Sequence, residues 1–389
     1  MTNLSLKSLF GGSSKNGTRR RSLSDIVFDA RNRLFQDPSF QKWAAAFPLT
    51  APITRRRAGR LFDICAGFTY TQILCACVEL ELFDLLADGA VPEAKIASSI
   101  DLSTEATERL IAGAIALDLV QRRPNKHIGL GAQGAALLGN RSVFEMIKHH
   151  KILYKDLIDP VALLKGGRAE TGLSQYWGYA RRASSADLSK DEAAPYTNLM
   201  AATQEFIADD VIAAFSFSRQ RHLLDIGGGG GAFVRAVAEN HPSLRATVFD
   251  LPVVAEQANS NFAKAGLEER VQAVGGDFFS DPFPQGADII SFVRVLHDHD
   301  DDAALQLLRS ARSALSEGGT LLIAEPMSET PGAAAMGDAY FGFYLWAMGS
   351  GRPRSAKILT EFLRVSGFPK ARLLRARQPL LTSVLVAST

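Results

Sequence analysis

The sequence of 389 residues has few cysteines, little excess charge of one sign and no long uninterrupted apolar run. Its three cysteines, Cys65, Cys75 and Cys77, share one apolar stretch, and an odd number without a framework argues against a disulfide-stabilised secreted fold. Their spacing is not that of a zinc site, so we interpret them as buried thiols. The closest approach to a membrane span is Ile64–Val78, which is bounded by acidic residues and is shorter than about 18 residues.

The small net charge of +2 hides an uneven distribution. Residues 1–60 contain twelve Lys or Arg and three Asp, a local charge of +9, which leaves −7 for the remaining chain. Residues 1–24 are rich in Ser, Gly, Asn and Arg and lack apolar periodicity, which predicts a disordered basic arm. The first residues contain no long apolar core, so we expect no secretory signal and an intracellular protein.

Hydrophobic periodicity divides the remaining chain into two predicted domains. Residues 25–210 are mostly helical in pattern, and short helices followed by a small hairpin at 127–138 are typical of a winged helix. Residues 211–389 alternate β-rich runs with helical stretches, which indicates an α/β domain with a parallel sheet and helices on both faces. Such sheets bind ligands at the carboxyl ends of their strands, where the strand order reverses.

The first motif is the glycine run Gly227–Gly231, which follows a predicted strand and precedes a predicted helix. Glycine permits a tight turn and lets a ligand approach the backbone closely. The N–H groups at the start of the next helix favour an anionic or polar ligand. A flexible linker has a similar composition, but the position between a strand and a helix favours a nucleotide-binding turn.

The second motif is Asp250, at the end of the next predicted strand and 21 residues after Gly229. A carboxylate at this position can accept hydrogen bonds from both ribose hydroxyls. Enzymes that bind NAD use the same arrangement, so these two motifs leave the cofactor open. A structural Asp that caps the following helix is the alternative.

The third motif, Asp277-Phe278, follows the third predicted strand. The carboxylate can bind an adenine amino group, and the aromatic ring can cover the face of the base. Acids on two successive strand ends favour the adenosine of S-adenosylmethionine (SAM) over a nicotinamide cofactor, with S-adenosylhomocysteine as the product. The alternative is an Asx-turn at Asp277 beside core phenylalanines.

The fourth and fifth motifs carry the predicted chemistry. His297 follows the fourth strand, and a histidine at a strand end is a suitable general base. Glu325 ends the next strand and could orient the imidazole and stabilise its charged form. A structural histidine, a surface acid and an H-x-H metal site are the alternatives. We predict no metal, because Asp300–Asp302 have a simpler role at the start of the following helix.

Together these motifs resemble the small-molecule O-methyltransferases of the plant caffeic-acid type and their bacterial relatives, over about residues 60–389. The resemblance implies a class I SAM methyltransferase (Rossmann-like) sheet, a mostly helical winged-helix N-terminal domain that forms a homodimer, and methyl transfer without a metal. It assigns His297 as the base and Glu325 as its partner. It also assigns a cofactor site lined by Gly227, Gly229, Asp250, Leu251, Asp277, Phe278 and Arg294.

One stretch departs from the family pattern. The family has an acid near the histidine in G-[KR]-E-R-T, whereas this chain has Pro353 in the stretch Gly351–Ser355. The base is therefore predicted to have less support from acids. This stretch and the segment Phe47–Arg57 resemble bacterial carotenoid enzymes, which methylate the tertiary hydroxyl of hydroxyneurosporene or demethylspheroidene.

An apolar acceptor also fits the aromatic segment Asp338–Met348, which we predict to be a helix. The resemblance places Tyr344, Met348 and Met200 near the acceptor, although an aromatic and methionine stripe is also typical of a core. The basic arm suits peripheral contact with an anionic inner or photosynthetic membrane, at about 1 kcal/mol for each basic residue.

Three other functions remain open from the residues alone. A phenolic or polyketide acceptor is the first, and a nicotinamide oxidoreductase is the second. The third is a SAM-responsive winged-helix DNA-binding regulator. Its recognition helix, near 104–117, would carry Glu105 and Glu108 against the single cation Arg109. That charge is poor for phosphate contact, so we expect no nucleic-acid partner.

Overall fold

The computed structural model describes residues 22–166, 170–177, 204, 207–377 and 382–389, with only the backbone at 141 and 142. The chain divides into two compact units, Met1–Ile73 and Leu74–Thr389. The domain boundaries predicted at residues 24 and 210 stay predictions. Met200, which was predicted to lie near the acceptor, is outside the described residues.

Helices dominate the first part of the described chain. Side-chain caps mark several of their starts, such as Ser103, whose hydroxyl accepts the N–H of Ala106 at 3.2 Å as its place before the helix predicts. The helices are α1 (Leu23–Gln36), α2 (Pro38–Ala46), α3 (Ala51–Glu79), α4 (Leu82–Leu85), α5 (Glu93–Ser99), α6 (Thr104–Ala116), α7 (Ala132–Leu138), α8 (Arg141–Asp156), α9 (Pro160–Lys165) and α10 (Gly172–Tyr176).

A small antiparallel sheet lies among these helices. Its strands are β1 (Val91–Pro92), β2 (Val120–Arg123) and β3 (His127–Leu130), in the order β1-β3-β2. A hairpin is present, but β2 and β3 form it, so it begins at Val120 and ends at Leu130 and not at the predicted 127–138. The Ala- and Leu-rich residues of α7 form a helix instead, as their propensities favour. The winged-helix interpretation stays a prediction.

The second sheet has seven strands within the described residues, in the order β6-β5-β4-β7-β8-β10-β9. Neighbours from β6 through β8 are parallel, whereas β10 runs antiparallel to both β8 and β9. The strands are β4 (His222–Ile226), β5 (Arg245–Asp250), β6 (Val271–Gly275), β7 (Ile289–Val293), β8 (Thr320–Glu325), β9 (Lys370–Leu374) and β10 (Ser383–Ser388).

Helices connect these strands and complete the α/β fold. They are α11 (Ala232–Asn240), α12 (Pro252–Lys264), α13 (Asp301–Ala314), α14 (Gly342–Met348) and α15 (Ala356–Val365). Residues 207–214 are also helical. The predicted parallel sheet is confirmed, with the antiparallel β10 as an addition that the sequence pattern did not predict.

The strand order reverses at β4. The chain proceeds from β4 to β5 and β6 on one side and then crosses to β7 and β8 on the other. Central strands are buried on both faces, which explains apolar runs such as Ile289–Val293, where all five residues are buried. The loops after β4 and β7 therefore separate and leave a crevice at the carboxyl edge of the sheet.

The helix α3 is long and apolar enough to cross a membrane by length and composition. Its best 18-residue window has a mean hydropathy of 1.5 and is 17% buried. The uncharged apolar run of α3 is short, but the test of length and mean hydropathy tolerates a few charged side chains, so α3 meets it. Helices of soluble proteins that face another subunit expose similar apolar surface when one chain is considered alone.

Candidate active site

The glycine turn after β4 has the backbone conformation that its composition predicts. Gly227 has a φ of +68°, and a Cβ atom there would lie 2.9 Å from the Val295 side chain. Glycine is required on both counts, since other residues rarely adopt this φ. Gly229 follows with a φ of +58° and donates its N–H to Asp250. The backbone is thus exposed to a ligand at the point where the strand order reverses.

Asp250 closes this turn from the end of β5. Its carboxylate accepts the N–H of Gly229 at 2.8 Å and that of Leu251 at 2.7 Å. Burial raises the pKa of Asp250 to about 6, although these two hydrogen bonds lower it. Each carboxylate oxygen has a second lone pair, so the group can still accept hydroxyl protons from a ribose.

A second buried acid lies beneath the glycine turn, and the sequence analysis assigned it no role. Asp225 is fully buried and accepts the Ser291 hydroxyl at 2.6 Å through one oxygen. Its other oxygen has no hydrogen-bond partner among the described residues. Burial raises the pKa of Asp225 to about 7, the Ser291 hydrogen bond lowers it, and the charge of Asp250 raises it. The turn therefore rests on two carboxyl groups that both titrate near neutral pH.

The predicted adenine subsite brings together aromatic rings and one acid. The ring of Phe278 lies 4.8 Å from that of Phe279 and 5.6 Å from that of His299, between centroids. Asp277 accepts the N–H of Phe279 at 2.8 Å, which is the Asx-turn considered above as the alternative. A carboxylate in such a turn keeps lone pairs for a further donor. The adenine role of Asp277 and Phe278 stays a prediction.

His297 lies in a short 3₁₀ turn after β7, and its side chain is buried. Glu325, at the end of the neighbouring strand β8, accepts the backbone N–H of His297 at 3.1 Å. The same oxygen lies 3.4 Å from the Nδ1 atom of the imidazole. Glu325 is itself fully buried. The two residues that the sequence placed at neighbouring strand ends are therefore in contact.

A second carboxylate approaches the imidazole from the other side. The Nε2 atom of His297 lies 3.2 Å from an oxygen of Asp298. Pro353 stands where the family pattern has an acid, which predicts that fewer carboxylates support the His297 base. Here the adjacent residue of the chain supplies a carboxylate. Among the described residues, no three His, Cys, Asp or Glu side chains converge as a metal-binding group.

The stretch Gly351–Ser355 instead holds the His297 turn in place. The fully buried Arg354 donates to the backbone oxygens of Leu296 at 2.8 Å and His299 at 2.6 Å, on either side of His297. Gly351 has a φ of +74°, and a Cβ atom there would collide with the backbone oxygen of His297. These residues fix the position of His297. The sequence pattern singles out this stretch, but its contacts with the His297 turn follow only from the fold.

A small cavity adjoins His297. It measures about 20 Å³, which is enough for one hydroxyl-sized group. Most of an acceptor could enter only if the surrounding side chains moved. The cavity is lined by Met146, Trp177, Arg294, His297, Asp298, Tyr340, Phe341, Tyr344 and Leu345.

The wall of this cavity contains a directional chain of hydrogen bonds. The indole N–H of Trp177 donates to the Tyr344 oxygen at 2.8 Å, and that oxygen lies 2.7 Å from Nε2 of His149. The Tyr344 oxygen accepts from Trp177 and keeps its own proton, which it can donate to Nε2 when that atom is unprotonated. Burial, and then the charge of His150, lowers the pKa of His149 to about 4, which favours the neutral imidazole.

A second tyrosine–histidine pair lies one helical turn away. The Tyr340 oxygen is 2.6 Å from Nε2 of His150. Tyr340 belongs to a π-helical turn, Ala335–Phe341, that precedes α14 where the sequence predicted one regular helix. Such turns are common at functional sites, because they change which side chains share a face. Here Phe341 reaches the His297 ring, at 5.8 Å between centroids.

The predicted site residues thus fall into connected groups. Gly227, Gly229, Asp250 and Leu251 form one group, and His297 with Glu325 forms another. Arg294 lines the cavity beside His297, with a left-handed backbone at a φ of +58°. Tyr344 also lines the cavity, whereas Met348 packs in a buried apolar cluster with Leu173 and Trp177. The residues that sequence reasoning missed are Asp225, Asp298, Arg354, Trp177, His149 and His150.

Family models match most of this chain. The O-methyltransferase domain matches residues 154–369, and the O-methyltransferase dimerisation domain matches residues 62–135. The dimerisation domain supports homodimer formation. A small-molecule substrate is expected of such an enzyme.

Named relatives agree with these matches. Demethylspheroidene O-methyltransferase of Cereibacter sphaeroides is 39% identical over 355 residues, which are 91% of this chain and 93% of the relative. Acetylserotonin O-methyltransferase of Mus musculus is 31% identical and covers 82% of this chain and 86% of its own length.

Solved structures agree as well. Human N-acetylserotonin methyltransferase in complex with SAM has a TM-score of 0.70 at 25% identity, and it matches over 85% of this chain and 97% of its own. The glycine turn and the partly buried Asp250 fit the cofactor of these relatives. The chain therefore belongs to the O-methyltransferase family and is a SAM-dependent O-methyltransferase with the class I fold.

Proposed function

We propose that this enzyme methylates the tertiary hydroxyl of an acyclic carotenoid of the hydroxyneurosporene or demethylspheroidene type. The demethylspheroidene relatives share 37–39% identity with the chain, against 31–32% for the acetylserotonin relatives of mouse. The apolar side chains of Phe341 and Leu345 beside His297 support an apolar acceptor. These similarities favour the carotenoid over a phenolic or polyketide acceptor.

The observation that carries the proposed chemistry is the buried contact between His297 and Glu325 beside the small cavity. A hydroxyl-sized space next to an imidazole is what a general base requires. Glu325 lies at Nδ1 and favours the tautomer with its proton on that atom. The Nε2 atom is then the basic atom at the cavity, and the Asp298 oxygen 3.2 Å away can accept a hydrogen bond from it once Nε2 has taken a proton.

The cofactor, when bound, supplies an electrophilic methyl group on a sulfonium. We assign its site to the glycine turn and the neighbouring strand ends. In this assignment Asp250 accepts the ribose hydroxyls, and the Gly227–Gly229 backbone leaves room for the methionine end. The further residues of the assignment are Leu251, Asp277, Phe278 and Arg294.

A tertiary alkanol is a weak acid, so His297 does not remove its proton before the methyl group moves. The acceptor oxygen would form its bond to the methyl carbon as the carbon–sulfur bond breaks and S-adenosylhomocysteine leaves, so the hydroxyl would become acidic during the transfer. His297 then takes the proton at Nε2, and the carboxylates of Glu325 and Asp298 stabilise the imidazolium. Holding the acceptor oxygen in line with the methyl group supplies much of the rate.

The proposal extends to the enzyme's surroundings. A homodimer would form through the N-terminal domain, and the enzyme would act in peripheral contact with an anionic membrane in which a carotenoid dissolves. The local charge of +9 over residues 1–60 supports this contact. Of the predicted acceptor residues, Tyr344 is the one that lines the cavity, and Met348 and Met200 stay predictions.

The test is incubation of the purified protein with methyl-labelled SAM and a panel of acceptors. The panel contains hydroxylated acyclic carotenoids dispersed in detergent, simple phenols and aromatic polyketides. We expect label in the carotenoid ether, with the phenols far behind. Efficient labelling of a phenol or polyketide, with none in the carotenoids, would replace the proposed acceptor by that class.

A further inference from the structure

The helices α1 and α2 leave their apolar side chains exposed. Over residues 22–61 the buried positions are Ala44 and Ala51. Large side chains on the same segment are far more open, with Leu23 83%, Val27 64% and Trp43 52% exposed. Each uncovered side chain of this size forfeits the favourable free energy of removing its apolar surface from water. A covering partner is therefore expected for a surface of this extent.

The helix α1 is amphipathic. At 3.6 residues per turn its two aspartates, Asp25 and Asp29, and its last residue, Gln36, lie on the side opposite the apolar stripe. The stripe consists of Leu23, Ile26, Val27, Ala30 and Leu34. Both acids of the helix thus point away from whatever covers it.

The apolar surface continues as a row of aromatic rings onto α2. Ring centroids are 6.3 Å apart for Phe35 and Phe40, 5.7 Å for Phe40 and Trp43, and 5.2 Å for Trp43 and Phe47. Trp and Phe are favoured where an apolar phase meets water. We call the stripe of α1 together with this row the α1–α2 face.

Arginines lie among these rings. The guanidinium carbon of Arg57 is 4.8 Å from the Phe35 ring centroid, and that of Arg31 is 5.0 Å from the Phe28 ring centroid. Residues 22–61 contain seven Lys or Arg against three Asp. Cations at the edge of an apolar face are typical of helices that lie in the surface of an anionic bilayer.

Two occupants compete for this face, a bilayer and a second copy of the chain. The match to the dimerisation domain begins at residue 62, after α1 and α2. Seven basic against three acidic residues leave residues 22–61 with an excess of four positive charges, which would repel the same face of a second copy and would attract an anionic bilayer. We propose that the α1–α2 face docks onto the surface of an anionic phospholipid bilayer. The proposal rests on the proposed function only in that a membrane-dissolved acceptor gives docking its purpose.

Vesicle co-sedimentation of the full chain tests this proposal. The vesicles are phosphatidylcholine alone or phosphatidylcholine with phosphatidylglycerol. We expect binding to the anionic vesicles that weakens with added salt. Val27→Glu, on the apolar stripe, should weaken binding about tenfold or more. Gln36→Glu makes the same charge change on the opposite side of α1 and should alter binding less than about twofold.

A spectroscopic readout locates the contact. Lipids brominated in their acyl chains should quench part of the tryptophan fluorescence, and Trp43→Phe should abolish that quenching. Failure of the wild-type chain to bind anionic vesicles, or equal losses in the two Glu variants, would overturn the proposal. Dissociation of a dimer by Val27→Glu, with vesicle binding kept, would assign the face to a second copy.

Failure of this proposal and failure of the proposed function give different results. Vesicle binding by a protein that methylates phenols and no carotenoid would reject the acceptor and keep the docking surface. Carotenoid methylation in detergent by a protein that ignores vesicles would keep the acceptor and reject the docking surface. Val27→Glu should retain turnover of detergent-dispersed carotenoid and lose turnover of the vesicle-dispersed carotenoid.

Discussion

In the proposed cofactor half of the candidate site, hydrogen bonds join neighbouring strand ends to backbone N–H groups, as between Asp250 and Gly229. In the acceptor half, side chains from distant parts of the chain meet. Gly229 and Asp250 are 21 residues apart, whereas His149 and Tyr344 are 195 apart. The first half is built by local turns on a sheet that many enzymes share. The second half depends on which helices pack over that sheet.

The difference also separates the expected effects of mutation. A change in the cofactor half should alter SAM affinity and leave acceptor binding unchanged. A change in the acceptor half should do the opposite. The His297 turn lies where the two halves meet, since Phe278 contacts His299 and Phe341 contacts His297. Mutations there test whether the two halves are independent.

The largest effect is expected for His297→Gln, which keeps a polar side chain and removes the base. Turnover should fall about 10²–10⁴-fold, as for other general bases. Calorimetry should find the affinity for S-adenosylhomocysteine unchanged within about twofold, because His297 lies outside the cofactor half. Turnover near that of the wild type would show that positioning alone drives transfer. Loss of cofactor binding would show that the two halves are one unit.

Asp250→Asn should weaken SAM binding about 10–100-fold, the usual effect of losing a hydrogen bond to a charged group. Turnover at saturating SAM should remain close to that of the wild type. Calorimetry gives the first quantity and initial rates give the second. A fall in turnover without a change in affinity would move Asp250 out of the cofactor half.

The same carboxyl group predicts a pH dependence. Burial raises the pKa of Asp250 to about 6, so the ionised form that accepts ribose hydroxyls is lost as the pH falls through 6. SAM affinity should drop about tenfold from pH 7 to pH 5. Asp225, with a pKa of about 7, also titrates in this range. The drop should persist in Asp225→Asn and disappear in Asp250→Asn if Asp250 is responsible.

Asp298→Asn tests the carboxylate that approaches His297. The family pattern has its acid elsewhere, at the position of Pro353 in this chain. It removes a charge 3.2 Å from Nε2 and keeps the size of the side chain. The Asn variant keeps only a neutral contact, which contributes less than a charge-assisted one. We therefore expect turnover to fall about tenfold, a smaller loss than for His297→Gln. Initial rates across pH are the measurement. An unchanged rate would leave Glu325 as the sole acid that supports the base.

This contrast explains how much could be predicted from the sequence. The glycine turn, Asp250 and the contact of His297 with Glu325 were predictable, because strand ends follow from periodicity and lie at one edge of a parallel sheet. Arg354 was not, because a buried arginine is identified by the oxygens it contacts and not by its neighbours in sequence. His149 lies on α8 and Trp177 directly follows α10, and the packing of these two helices against α14 leaves no periodic signal in the sequence. The position of the π-helical turn was missed for the same reason.

The smallest effect is expected for Tyr344→Phe, which probes the acceptor half alone. The change removes one hydroxyl and with it the hydrogen bonds that join Tyr344 to Trp177 and to the buried His149. A buried group left unsatisfied costs about 1–3 kcal/mol, so thermal unfolding should show a loss of that size. The looser wall should raise the acceptor KM a few-fold and leave SAM affinity unchanged.

Trp177→Phe, which removes the donor at the start of the chain, is the matched control. It leaves the hydrogen bond between Tyr344 and His149 in place, so it should raise the acceptor KM by a smaller factor than Tyr344→Phe does. A change in SAM affinity in either variant would mean that the acceptor wall and the cofactor turn are coupled through the His297 turn.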